Sequence, residues 1–225
     1  MLLTGNLRPT DRPVTLKTPR PKPSPADADR ADALKRRREI LELSAKLICK
    51  KGYDGTGVQD IAEACGLTKA GLYHHIGSKE GLLAAIMDYG MDLFEEAVLA
   101  HVEGIENPLE RLKACMARNI DLVTRGASKE VTIILHEHAT LHGPAGKRIN
   151  ARKKNYVRFL EKAFDEAQAQ KLIRPVDSTL AAFSLLGMVL WTYKWFRPDG
   201  ALTEEAIAQG MVDMLFNGLQ TKGKA

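Results

Sequence analysis

Residues able to meet a polyanion gather in one short stretch, Thr68-Lys69-Ala70-Gly71-Leu72-Tyr73-His74-His75. Lys69 carries a charge and donors that suit the acceptor edge of guanine in a major groove. Thr68 beside it can also reach a base edge, and Tyr73 and His74 offer hydroxyl and imidazole groups of the kind that hold phosphate. A second group comprises Arg148, Arg152, Lys153, Asn155 and Tyr156, together with the aromatic and cationic run Trp191-Thr192-Tyr193-Lys194-Trp195-Phe196-Arg197-Pro198. These residues predict a pocket with a basic mouth for an anionic ligand. The same residues also read as core aromatics and a solvated charged face. A third group is His136, Glu137, His138 and His142. On a helix His136 and His138 diverge, whereas His138 and His142, four apart, face one way and could grip a metal. A helical histidine pair is more often structural, so no metal is expected. No phosphate-binding glycine loop, serine nucleophile elbow or pair of catalytic carboxylates occurs at a diagnostic spacing. The chain is therefore expected to be no enzyme and to need no cofactor.

The elements that must position these groups are helices. From about Asp32, Leu34, Ile40, Leu41, Ala45, Leu47 and Ile48 recur three and four apart until Gly52 stops the pattern. Lys35, Arg36, Arg37 and Arg38 fall in the leading turn of this helix, where they oppose its dipole unless an anion offsets them. Thr56 is placed to cap a short helix within Val58 to Leu67, with Ile61, Ala62 and Cys65 on one face. Gly66 permits a tight turn, Thr68 caps a second short helix, and Gly77 interrupts it. Small residues at Ala62 and Gly66 allow close approach, and Ile61, Leu67 and Leu72 supply a shared core. This pattern is a helix-turn-helix whose second helix can enter a major groove. Leu72 and His75 are expected to face the three-helix core.

The segment Thr56 to Leu83, TGVQDIAEACGLTKAGLYHHIGSKEGLL, resembles the DNA-binding signature of the TetR family, and the resemblance extends over roughly residues 36 to 90. Ile76 stands where the family usually has an aromatic, a change expected to affect packing rather than DNA contact. The resemblance implies an all-α, homodimeric repressor with an N-terminal three-helix helix-turn-helix and a C-terminal helical ligand-binding and dimerisation domain. It implies Thr56, Thr68, Lys69, Ala70, Tyr73, His74 and Lys79 at the operator DNA, with Thr56 and Lys79 at the starts of flanking helices. The helix opened by Ser78-Lys79-Glu80 would connect reading head to regulatory body. An inducer would then release the dimer by changing the spacing of its heads. An effector-independent, architectural DNA-binding protein of the same fold is the alternative.

Beyond Pro108, helical segments are expected at 108 to 125, 129 to 142, 145 to 170, 177 to 197 and 203 to 219. The segment Leu180 to Trp191 is apolar nearly all round, which predicts burial on two sides. It is expected to join Ile207, Met211, Met214, Leu215 and Phe216 in a four-helix dimer interface, with a deep monomer core as the alternative. The run WTYKWFRPDG, Trp191 to Gly200, is similar to TetR regulators of lipid and steroid catabolism. That similarity implies a coenzyme A thioester as inducer, with Arg148, Arg152, Tyr156, Trp191, Lys194 and Trp195 as candidate ligand-binding residues.

Charge and composition bound the rest. A formal net charge of +5 is too small to decide a partner until its distribution is known. Cys49, Cys65 and Cys115 are odd in number and set in helical patterns, which argues against a disulfide framework and fits a reducing cytoplasm. Neither a signal peptide nor an apolar run of about twenty residues suited to crossing a bilayer is evident. Residues 1 to 29 alternate Pro9, Pro13, Pro19, Pro21, Pro23 and Pro25 with Arg8, Arg12, Lys17, Arg20 and Lys22. They are expected to form a disordered basic tail, an arm reaching phosphate or a minor groove being the other reading. The expected division is thus tail 1–29, helix-turn-helix domain 30–80, and ligand-binding and dimerisation domain 81–225.

Overall fold

The computed structural model of the protein describes residues 25–124, 129–137 and 140–218. Among them every regular element is helical. The chain separates into two units, Met1–Lys35 and Arg36–Ala225. In the first unit the described part is helical, with Leu34 and the charged side chains around it exposed. Most of the expected tail lies outside the described residues.

Helix α1 spans Pro25–Lys51, so it starts earlier than the apolar period suggests. Pro25 is tolerated there because a first-turn amide has no intrahelical partner. Arg36, Arg37 and Arg38 consequently sit mid-helix rather than in a leading turn, and the expected conflict with the helix dipole disappears. The α1 face carrying Ile40, Leu41, Ala45 and Ile48 is buried.

α2 (Val58–Ala64) and α3 (Lys69–Ile76) form the helix-turn-helix. The N-cap of α2 is Gly57 rather than Thr56. Asp60 reaches back to accept from the Gly57 amide at 2.9 Å, while the Thr56 hydroxyl donates to the Gly52 carbonyl at 2.7 Å. Gly66 takes a positive φ of 64° in the turn, a conformation costly for any residue with a Cβ. Thr68 caps α3 as expected, accepting from the Gly71 amide. Ile61, Ala62, Cys65 and Leu72 form the buried centre of the unit, and His75 is half-buried.

α4 spans Lys79–Phe94 and is capped by Ser78. A π-helical turn, Glu95–Leu99, continues it into the short α5, Ala100–Val102. Four helices follow: α6 (Pro108–Thr124), α7 (Lys129–His136), α8 (Gly143–Ala169) and α9 (Ser178–Leu190). A single turn, α10 (Thr192–Trp195), precedes the last helix, α11 (Glu204–Asn217). The segment expected as one helix over 129 to 142 therefore ends at His136. The segment expected over 177 to 197 is interrupted at Trp191.

α4 packs on α7 and α8, and α6 packs on α8, α9 and α11. The α4–α7 crossing is close because of Gly90: a Cβ there would lie 2.9 Å from the Glu130 carbonyl carbon and from Ile134 Cδ1. α9 buries Ala181, Ala182, Leu185, Leu186 and Val189 against its own chain but exposes Leu180 and Phe183. Ile207 and Met211 of α11, expected at an interface, instead fill the chain's own core. Met214 is exposed, with Leu215 and Phe216 half-buried.

Candidate functional site

Two arrangements carry chemistry, the exposed face of α3 and an apolar chamber in the helical body. The first is held by α1. Arg36 donates to the Cys65 carbonyl at 2.6 Å, and Arg37 donates to the His75 carbonyl at 3.1 Å. These contacts fix the C-terminal ends of α2 and α3 through carbonyls left unpaired at helix C-termini. Part of the basic cluster in α1 thus holds the reading unit together from within.

On α3, Thr68, Lys69, Ala70, Tyr73 and His74 are exposed together. His74 touches His75 edge-on with ring centres 5.7 Å apart. Lys69 projects from the first residue of the helix, the end that meets base edges when such a helix lies in a groove. Two expected contacts are placed differently. The Thr56 side chain is fully buried and its hydroxyl proton is used on Gly52. Lys79 is half-buried, its ammonium 4.3 Å from the centre of the Tyr53 ring.

The chamber has a volume of about 250 Å³. Its walls come from α4 (Met91, Phe94), α7 (Val131, Ile134), α8 (Val157) and α9 (Phe183, Leu186, Leu190), with Asn119, Lys153 and Tyr156 as its polar members. The buried Asn119 amide donates to the Tyr156 hydroxyl and to the Cys115 carbonyl, each at 2.7 Å. Burial pushes the Tyr156 phenol well above its usual pKa, keeping it a neutral donor and acceptor. Phe94 packs edge-on against Tyr156 with ring centres 4.6 Å apart. Burial also pulls the pKa of the Lys153 amine below its usual value.

Of the six ligand-binding residues expected from the sequence, only Tyr156 lines this chamber. Arg148 and Arg152 lie on the same stripe of α8, two turns and one turn before Tyr156 respectively, but carboxylates of α4 engage both. Arg148 chelates Asp88 at 2.5 and 3.1 Å. Arg152 donates to Asp92 at 2.7 Å, to Glu95 at 2.9 Å and to the Asp88 carbonyl. These hydrogen bonds hold both guanidinium pKa values above the ordinary one. Trp191, Lys194 and Trp195 are exposed and stand outside the lining, although Trp191 directly follows Leu190, which belongs to it. Met91, Phe94, Val131 and Ile134 were not singled out from the sequence. Asn119 could have been, as a polar residue on the apolar face of α6 among Cys115, Met116 and Ile120.

A larger cleft, about 710 Å³, lies against α1, α4, α6 and α7. Its walls mix Glu42, Glu96 and Asp121 with Lys46, Arg118 and Lys129, so it offers neither an apolar seat nor a one-signed cradle. The smaller chamber has the better chemistry for an acyl group. As for the third sequence cluster, His138 lies outside the described residues and His142 is exposed at the start of α8. Among the described residues no group of three potential metal ligands occurs, and no helix is long and apolar enough to cross a membrane.

Comparison with known proteins follows the same two parts. Residues 40–86 match the family model described as bacterial regulatory proteins, tetR family, and residues 106–219 match a tetracyclin repressor-like C-terminal domain. The chain is similar to AibR, whose crystal structure was solved in complex with isovaleryl coenzyme A and operator DNA. The identity is 68%, the alignment covers 80% of this chain and 98% of AibR, and the TM-score is 0.79. It is 24% identical over 189 residues to the transcriptional repressor KstR2 of Mycobacterium tuberculosis, covering 84% of this chain and 94% of KstR2. The structure of that ketosteroid regulator matches with a TM-score of 0.75 over 83% of this chain and 96% of KstR2, at 26% identity.

Proposed function

Because the chain belongs to the TetR family of bacterial regulatory proteins, we propose that it represses transcription as an operator-bound homodimer and is released by a short-chain acyl coenzyme A thioester. The observation that carries the ligand class is the apolar chamber of about 250 Å³ in a chain 68% identical to AibR, which was solved with isovaleryl coenzyme A and operator DNA. A dry cavity of roughly 150 Å³ admits benzene, so this one holds on the order of ten carbon atoms. A branched five-carbon acyl group fits within it, and a four-ring steroid skeleton does not.

The reading unit, taken as residues 30–80, meets DNA through α3. Lys69 reads a base edge, Thr68 and Ala70 lie beside it, and Tyr73 and His74 hold phosphate. Lys79 adds charge at the start of α4. Thr56 acts only by shaping the turn before α2. The remaining chain, 81–225, takes the ligand and the second protomer. Tyr156 lines the acyl seat, and Arg148 and Arg152 meet the phosphates by exchanging α4 carboxylates for them. The exposed Trp191 and Trp195, with Lys194, offer a stacking surface for the nucleotide end. Leu180, Phe183 and Met214, exposed on α9 and α11, are the apolar surface a second copy would cover. Such a regulator carries out no chemistry of its own and works where the chromosome is, in the bacterial cytoplasm.

The test is a mobility-shift titration at fixed salt against DNA from upstream of the protein's own gene, with isovaleryl, longer acyl and steroid-derived coenzyme A thioesters. Release by isovaleryl coenzyme A at lower concentration than by the bulky thioesters is the expected result. Specific binding that no thioester disturbs defeats the ligand reading. Binding without sequence preference favours an architectural role.

A further inference from the structure

The acyl chamber has one charged residue in its lining, Lys153. The side chain is half-buried on α8, and its amine donates to the Ile134 carbonyl at 3.1 Å. Among the described residues no carboxylate lies within ion-pair distance of it, in contrast to neighbouring Arg152, which three carboxylates surround. An amine held in an apolar wall without a counter-charge is costly to retain for stability alone. Desolvation accordingly lowers its pKa.

Its partner carbonyl is equally specific. Ile134 lies in the last turn of α7, where carbonyls lack intrahelical donors and favour a cation. α7 stands between the chamber and the reading head. On one side Val131 and Ile134 line the chamber. On the other, the Lys129 carbonyl accepts from the Cys49 thiol of α1 at 3.5 Å, and Glu137, just past the helix, accepts from the Tyr53 amide at 3.4 Å. Along its length α7 rests on α4 at Gly90.

We propose that Lys153 is the residue that senses the thioester: its ammonium leaves the Ile134 carbonyl for the thioester carbonyl oxygen, which unties α7 from α8. The amine keeps a hydrogen bond in both states, so the exchange is inexpensive for the lysine. The Ile134 carbonyl loses its donor, so the end of α7 must move to find another. That movement is passed to the Tyr53 and Cys49 contacts and to α4, which gives the ligand its different affinity for the two states.

This inference rests on the coenzyme A reading above, and the experiment separates the two. Isovaleryl coenzyme A and its thioether analogue S-isopentyl coenzyme A, which lacks the carbonyl, are titrated by calorimetry into wild type, Lys153→Met and Lys153→Arg. Operator release is measured in parallel. Lys153→Met should bind the thioester about ten- to a hundredfold more weakly, as expected for losing a charged hydrogen bond. It should bind the thioether as wild type does, and Lys153→Arg should recover part of the loss. Because Lys153→Met also leaves the Ile134 carbonyl without this donor, its operator affinity without ligand should already fall toward that of liganded wild type, whereas Lys153→Arg, which keeps a donor for that carbonyl, should stay within about threefold of wild type. Equal response of wild type and Lys153→Met to the thioester overturns the proposal and leaves the ligand reading standing. So does an equal loss with thioester and thioether, which makes the lysine structural, or unliganded Lys153→Met that binds operator as tightly as wild type, which means that the Ile134 contact does not hold the reading head. Wild type that isovaleryl coenzyme A neither binds nor releases overturns both.

Discussion

The Arg36 guanidinium on α1 donates to the Cys65 carbonyl at the C-cap of α2 over 2.6 Å, and a second branch reaches Glu39 at 3.2 Å. One arginine therefore ties the scaffold helix to the turn that orients α3. A charged hydrogen bond of this kind is worth roughly 1.5–3 kcal/mol when shielded. The side chain is 38% exposed, so solvent screening reduces the expectation for Arg36→Ala to about 1 kcal/mol. Urea denaturation should show that loss, and operator affinity should fall with it as the turn loosens. An unchanged midpoint would mean that the contact contributes nothing in solution.

Replacement of Lys69 separates base reading from charge. If the amine reads guanine, Lys69→Ala costs about 1–3 kcal/mol on the specific operator and relaxes preference at one position. Tyr73→Phe should weaken specific and nonspecific DNA alike, because a phosphate contact carries no sequence information. The check is a binding titration against the operator and a set of single-base variants. Uniform weakening by Lys69→Ala would reassign the lysine to the backbone.

The helix-turn-helix was legible because its signals are local. Gly66 and the Thr68 cap lie within a few residues of what they organise, and Leu72 follows by helical spacing. The acyl chamber was not legible, because its walls join Met91 to Leu190 across five helices and no short pattern encodes that convergence. Arg148 and Arg152 show the limit most clearly. Their spacing along α8 is readable, but the carboxylates that engage them lie about sixty residues earlier on α4. Thr56 failed for a more local reason, since its hydroxyl is turned to donate to the Gly52 carbonyl and the start of α2 is closed instead by Asp60 accepting from the Gly57 amide.

Gly90 presents two opposed effects whose sizes predict the sign. Alanine in a helix interior is favoured over glycine by about 1 kcal/mol. Its methyl would meet the Glu130 backbone and Ile134 Cδ1 at 2.9 Å, and overpacking of this sort costs about 1–3 kcal/mol. Because the obstructing atoms include backbone, the clash wins, and Gly90→Ala should lower the melting temperature. It should also spread α7 from α4 and so shift the inducer concentration needed for release. A raised melting temperature would show that the crossing is looser than the structure has it.

The thiols offer a readout that needs no ligand. Cys65 and Cys115 are buried and Cys49 is exposed, so a disulfide reagent should label Cys49 first, as peptide mass spectrometry can verify. Cys49 should nevertheless react slowly. Partial burial of the sulfur raises its pKa to about 11, a shift that nearby Lys129 opposes and the Glu130 and Glu137 carboxylates reinforce. At pH 8 the thiolate fraction is then about 0.1%, against about 9% for a thiol at the ordinary 9.0. The more basic thiolate is also the better nucleophile, by about eightfold for a two-unit rise. The net expectation is a rate about tenfold below that of free cysteine. The pH dependence gives the sign independently: the Cys49 rate should keep rising about tenfold per unit toward pH 11, whereas free cysteine levels off near 9. Levelling of the Cys49 rate near pH 9 would show that the sulfur is not held against the start of α7, and the link between α1 and α7 on which the release route depends would be lost with it.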